Sequence, residues 1–187
     1  ISTYNSIFKN IPIWITEWNL QYSKKTGNTL LQSLFVANYF LEILSNKEFK
    51  SIALTTFHNL AGRDFGGSVF QKKNGITHLQ STFNSIKMIS QIFALDSHSI
   101  LKEKIEPDLY KYTLSNGEAI AMIFYINWTN TSKVILENNS LIKKEEMFGS
   151  NLFNLSSDYD GIIFSNQISS KDKELKAYSL TVFISND

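Results

Sequence analysis

Ile11-Pro12-Ile13-Trp14-Ile15-Thr16-Glu17-Trp18-Asn19 is the stretch on which the reading of this chain turns. Ile13 and Ile15 alternate with Trp14 and Thr16, which is the period of a strand, and Pro12 stands where the strand opens. Strict alternation predicts Glu17 on the face of Ile13 and Ile15, at the end of the run. In parallel α/β proteins the carboxyl ends of strands are where ligands bind. A carboxylate there can attack or stabilise an oxocarbenium-like centre, and a neighbouring ring can stack on a sugar face. The competing reading is a solvated or salt-bridged carboxylate with no chemistry attached.

Working outward, residues 1 to 10 read as the end of a helix and a turn, and 20 to 28 as a polar loop. Thr29-Leu30-Leu31-Gln32 fits a capping box, and Leu31, Leu34, Phe35, Leu41 and Leu44 follow one helical face. Ser51 to Phe57 is a second apolar, strand-like run. A glycine-bearing loop follows from His58 to Gly75, with room for a short hairpin at Ser68 to Gln71. Thr77-His78-Leu79-Gln80 repeats the capping pattern, and Leu79, Phe83, Ile86 and Phe93 predict a second amphipathic helix. Strand, helix, strand, helix is the signature of β/α units with a parallel sheet.

After Asp96 the character changes to short β-prone runs between polar turns. The predicted strands are Ser99 to Ile105, Leu109 to Leu114, Ala119 to Trp128, Lys133 to Leu136, Asn151 to Asn154, Gly161 to Ser165 and Lys176 to Ile184. Ser115-Asn116-Gly117 is a strong hairpin signal between two of them. Such spacing predicts an antiparallel β-sandwich. The expected fold class is therefore α/β plus all-β, with a boundary between segments 1–95 and 96–187.

Lys and Arg total 18 against 17 acidic residues, a balance that gives no support for a nucleic-acid partner. The run Lys143-Lys144-Glu145-Glu146 reads as a solvated, self-neutralising face. There is no cysteine, which excludes disulfides and thiolate metal sites. The three histidines, His58, His78 and His98, lack the close pairing of a zinc helix, so no metal or cofactor is expected. No apolar run is long enough to predict a membrane span. Nothing assigns a compartment.

Ile15-Thr16-Glu17-Trp18-Asn19 resembles the seventh-strand nucleophile segment of retaining (β/α)8-barrel glycoside hydrolases, with α-L-arabinofuranosidases and β-xylosidases nearest in flavour. The order of elements is similar too. Leu34-Phe35-Val36-Ala37 resembles the helix after the nucleophile strand, and Thr56-Phe57-His58-Asn59-Leu60 the polar end of the last barrel strand. Tyr125-Ile126-Asn127-Trp128 and Ala177-Tyr178-Ser179-Leu180-Thr181-Val182 resemble strands of the appended sandwich. The resemblance implies that 1–95 holds the last two β/α units of a TIM barrel and 96–187 a C-terminal β-sandwich. It implies a carbohydrate substrate of arabinosyl or xylosyl type, with Glu17 as the nucleophile.

Closing such a barrel takes about eight strands, so the α/β part is expected to need further strands from the same polypeptide or another chain. Retaining hydrolysis needs a second carboxyl about 5 to 5.5 Å from the nucleophile. The resemblance places it on a strand outside this sequence. Asp64 is the only nearby substitute and is not expected to act. This chain alone is therefore expected to be an incomplete glycosidase.

Beside Glu17, the candidate substrate contacts are Trp18, Asn19, His58, Asn59 and Arg63. Trp18 either stacks on a sugar or packs; Asn19 either binds substrate or orients its loop. Trp14 and Trp128 are expected in the core, His78 and His98 at the surface or in caps. The alternative function is a non-catalytic, carbohydrate-binding or degenerate barrel relative. An exposed aromatic row drawn from Tyr110, Tyr112, Phe124 and Tyr125 would favour it.

Overall fold

The computed structural model describes residues 2–7, 11–20, 23, 25–58, 60–62, 67–95, 99–135, 143–155, 162–168 and 173–185. Asn59, Arg63, Asp64 and His98 lie outside the described residues. In chain order the elements begin with α1 (Ser2–Ile7), β1 (Ile13–Trp18), α2 (Leu30–Ser45), β2 (Ile52–Phe57), β3 (Ala61–Gly62), β4 (Phe70–Lys73), β5 (Ile76–Leu79) and α3 (Ser81–Ser90). The strands β6 (Ser99–Glu106), β7 (Leu109–Asn116), β8 (Ala119–Asn127), β9 (Lys133–Val134), β10 (Lys143–Phe148), β11 (Ile163–Ile168), β12 (Glu174–Leu175) and β13 (Ser179–Ile184) follow. The fold is mostly sheet with few helices.

β1 and β2 pair in parallel, with Trp14 opposite Leu54, Ile15 opposite Thr55 and Trp18 opposite Phe57. α2 makes the crossover, as a parallel pair requires. Its start follows the sequence signal in part. Thr29 Oγ1 accepts from the Gln32 amide at 3.4 Å, but the Gln32 side chain accepts from the amide of Asn28 rather than Thr29. The amides of Leu30 and Leu31 donate to the carbonyls of Asn154 (3.0 Å) and Leu152 (2.7 Å). Two of the donors that a helix start leaves open are thus satisfied from the far half of the chain.

The second helix departs from expectation. Residues 76–79 are strand β5, hairpinned to β4 through Asn74 and Gly75, both at positive φ (52° and 80°). Asn-Gly is the preferred type I′ pair, so this turn rather than Ser68 to Gln71 makes the hairpin. α3 starts at Ser81, whose amide donates to Asn28 Oδ1 at 2.8 Å. Its buried face carries Ser81, Thr82, Ser85, Met88 and Ile89, while Phe93 and Leu79 are exposed. The helix is rotated from the apolar reading because small polar residues let it approach α2. Ser85 Oγ donates to the Ser33 carbonyl at 2.8 Å, and Ser81 Oγ to the Thr29 carbonyl at 3.0 Å.

The second half is a six-stranded antiparallel sheet in the order β11-β10-β13-β8-β7-β6. One face packs on α2 and α3, joining Leu34, Leu41, Met88, Tyr112, Phe124 and Leu180 in one core that runs across residue 95. The other face, with Leu109, Ile123, Tyr125 and Phe183, is covered by Ile135 and Leu175 at the two-stranded β9–β12 sheet. Tyr112, Phe124 and Tyr125 are fully buried, so the exposed aromatic row does not form. The two-residue turn after Asn116 is present, with Gly117 at φ 62°.

Three local expectations are corrected. Lys143-Lys144-Glu145-Glu146 is not a solvated face but part of β10, inside the sheet, with Lys144, Glu145 and Glu146 buried. Partners distant in sequence make this tolerable: Lys144 Nζ donates to the Glu174 carbonyl (2.5 Å), and Glu146 Oε1 accepts from Thr181 Oγ1 (2.9 Å). Asn151 to Asn154 is a turn, not a strand. Trp14 is 66% exposed rather than core, because its face of β1 is uncovered among the described residues. Trp128, expected inside a core strand, follows the end of β8 and is only partly buried against the helix-side core, whereas His78 is exposed on β5, as expected.

Candidate active site at the ends of two parallel strands

The candidate site is built at the carboxyl ends of β1 and β2. Between Ile15 and Trp18 the register with β2 slips. Such a slip flips the side-chain phase of whatever follows. Trp18, three residues beyond Ile15, turns inward and is 8% exposed, while Glu17 has its side chain 66% exposed. Glu17 therefore leaves the face of Ile13 and Ile15, contrary to strict alternation, and points to the open side with Trp14.

Trp18 is packed on several sides. Its ring stacks on Tyr39 of α2 (centroids 4.1 Å) and meets Phe40 and Phe57 edge-on at 4.9 and 5.3 Å. Burial pushes the Tyr39 phenol up from its ordinary pKa. Of the two roles open to Trp18 in the sequence, the geometry is that of packing. The ring anchors the strand end against the helix.

His58 follows β2 directly. Its amide donates to the Trp18 carbonyl at 2.8 Å, which extends the ladder by one residue. Its Nδ1 lies 3.0 Å from Glu17 Oε1. At that distance a proton on Nδ1 can be shared with the carboxylate. Glu17 Oε2 has no partner among the described residues. A carboxylate oriented through one oxygen and open at the other is competent for nucleophilic attack or for charge stabilisation.

Asn19 is engaged at every hydrogen-bonding position. Nδ2 donates to the carbonyls of His58 (3.1 Å) and Gly67 (2.8 Å). Oδ1 accepts from the Leu20 amide (2.7 Å) and from Gln32 Nε2 (3.2 Å). A primary amide offers two donors and two acceptor lone pairs, and all four are used. Gln32, which the sequence suggested only as a cap, also donates to Gly67 O at 3.1 Å and is buried. The one signal for it was a polar side chain inside an apolar helical run. No group of three or more His, Asp or Glu among the described residues is placed to hold a metal ion.

The sequence matches no protein-family model and no curated protein. Solved structures do match. The α-L-arabinofuranosidase of Thermotoga maritima superposes with a TM-score of 0.63 at 12% identity, over 98% of this chain and 44% of its own. The catalytic domain of the GH30 xylanase C of Talaromyces cellulolyticus gives 0.60 at 15% identity, over 92% of this chain and 40% of its own. A 4-O-α-L-rhamnosyl-β-D-glucuronidase of Fusarium oxysporum gives 0.64 at 10% identity, over 90% and 42%. This chain has a glycoside hydrolase-like fold. It spans less than half the length of each of these three structures.

Proposed function

We propose that this chain is part of a retaining glycoside hydrolase acting on arabinosyl or xylosyl linkages, with Glu17 as the nucleophile and the acid/base carboxyl outside the chain. One observation carries the reading: Glu17 stands at the carboxyl end of a parallel strand, its Oε1 3.0 Å from the His58 imidazole of the neighbouring strand end. In parallel α/β folds this is the end that holds ligands. The glycoside hydrolase-like fold supports a carbohydrate substrate.

The open face of β1 and β2 supports the need for further strands. Trp14 and Leu54 face each other in register there, 66% and 43% exposed. Side chains of that size on two paired strands are suited to a barrel interior, and among the described residues β1–β2 is a sheet of two strands. The reading therefore assigns Trp14 and Leu54 to the inner wall of a barrel whose other strands lie elsewhere in the polypeptide or in another chain. His58, at the site, and Asn59 and Arg63, which follow it, are proposed as substrate contacts.

The test uses the whole gene product and two probes, 4-nitrophenyl α-L-arabinofuranoside and 4-nitrophenyl β-D-xylopyranoside. Glu17→Gln is expected to abolish release of nitrophenol without changing the melting temperature. A 2-fluoro-glycoside inactivator is expected to leave its sugar on Glu17 in peptide mass spectra. Wild-type protein inert to both probes, or near-normal turnover in Glu17→Gln, would overturn the proposal.

A further inference from the structure

The amide cluster behind the Glu17–His58 pair joins four segments that are far apart in sequence. Asn19 follows β1, the His58 carbonyl follows β2, Gln32 lies in the first turn of α2, and Gly67 lies in the loop before β4. Asn19 Nδ2 and Gln32 Nε2 both donate to the Gly67 carbonyl, and Gln32 Nε2 also donates to Asn19 Oδ1. Gln32 Oε1 is held in turn by the Asn28 amide at 2.8 Å. The polar groups of both side chains are thus aimed at protein atoms.

We infer that Asn19 and Gln32 are positioning residues that hold the Glu17–His58 pair in its reactive geometry, an inference that rests on Glu17 being the nucleophile. Three contacts join His58 to the β1 end: its amide on the Trp18 carbonyl, its carbonyl on Asn19 Nδ2, and its Nδ1 on Glu17 Oε1. Asn19 supplies the only one of these that comes from a side chain other than those of the pair. Releasing the His58 carbonyl frees its backbone to turn, and the imidazole then loses its line to the carboxylate. Gln32 acts one step further back, by fixing the Asn19 amide plane through Oδ1. Asn19 accordingly does not bind substrate.

The inference is tested in the whole gene product with the same two nitrophenyl glycosides, comparing Asn19→Asp, Gln32→Met and Glu17→Gln. Asn19→Asp keeps the shape and both acceptors but removes both donors. It is expected to lower kcat on the order of 10- to 100-fold, the scale of a misplaced reacting group, with KM little changed. Gln32→Met is expected to show the same split, smaller in size. The 15N shifts of the His58 imidazole provide a readout independent of turnover. Wild type is expected to show a protonated Nδ1, and Asn19→Asp a mixture of tautomers.

Unchanged kcat in folded Asn19→Asp and Gln32→Met, with Glu17→Gln dead, overturns the clamp and leaves the nucleophile standing. A raised KM at unchanged kcat also overturns it, by making Asn19 a substrate contact. Active Glu17→Gln removes both ideas together. Should Asn19→Asp fail to fold, Gln32→Met decides alone, since it leaves the Asn19 bonds to His58 and Gly67 in place. Failure of both to fold marks the cluster as a structural tie and overturns the inference.

Discussion

Lys144 Nζ lies 3.3 Å from Glu146 Oε2 on β10, with both side chains almost wholly removed from water. The pair faces the β9–β12 side of the sheet. Glu146 Oε1 also accepts from the Lys176 amide at 3.0 Å, and Lys144 Nζ sits 5.9 Å from the Phe183 ring centroid. Ions so buried are tolerable because each has a counter-charge and further hydrogen bonds.

Removing one member of this pair leaves the other charged and unpaired in the interior. Lys144→Met is therefore expected to destabilise the protein by about 3–5 kcal/mol. The double variant Lys144→Met/Glu146→Leu is expected to recover much of that loss, since an apolar pair strands no charge. Urea unfolding of the two variants checks this. A double variant no more stable than the single one counts against the argument.

Asn28 joins the two helix starts. Its backbone is in the left-handed region at φ 58°, and its Oδ1 accepts from the Ser81 amide, 53 residues away. Asn28→Gly keeps the backbone conformation but loses this bond, at a cost of about 1 kcal/mol. Asn28→Ala adds about 1–2 kcal/mol, because a Cβ disfavours that conformation. The expected order of urea midpoints is wild type, Gly, Ala; equal midpoints for Gly and Ala would remove the backbone term.

Ser85 lies in the contact between α3 and α2. The side chain is fully buried and donates to Ser33 O at 2.8 Å. Ser85→Leu forces a larger side chain into this contact and is expected to cost about 1–3 kcal/mol. Thermal unfolding of Ser85→Ala and Ser85→Leu separates hydrogen bond from volume. A Leu variant as stable as the Ala one is the outcome against this reading.

Tyr112 ties the sheet to α2 through its hydroxyl, which donates to Glu42 Oε1 at 2.8 Å and lies 3.1 Å from Asn38 Oδ1. Burial first, and then the Glu42 carboxylate, push the phenol far above its ordinary pKa of 10.0. The folded protein therefore keeps this proton at a pH where the unfolded chain releases it. The stabilisation is complete below pH 10.0 and declines above it, by up to about 1.4 kcal/mol per pH unit. Tyr112→Phe is expected to show a shallower alkaline loss of stability than wild type. Identical slopes in the two proteins would rule out this contribution.

Local signals in the sequence located much of the fold. The alternation at Ile13 to Thr16 marked β1, the Thr29 cap marked the start of α2, and the turn after Asn116 marked the β7–β8 hairpin. The Asn74-Gly75 pair carried an equally clear hairpin signal, but the neighbouring glycines made the whole stretch look like a loop. Glu17 and His58 were both legible as residues at strand ends. Their pairing was not, because it depends on two strands lying in register.

What the sequence determined by itself is therefore whatever depends on a few neighbouring residues: strand period, turn chemistry, one helix cap, and a carboxylate at the end of an apolar run. Tertiary structure decided the rest. A register slip before Trp18 reversed the phase of the strand end, turning Trp18 inward and Glu17 outward. Long-range partners let Lys144, Glu145 and Glu146 be buried in a strand that reads locally as surface. The close contact of two helices set the face of α3, and an asparagine from another loop capped it. In each case the deciding free energy comes from atoms tens of residues away, to which a local pattern is blind.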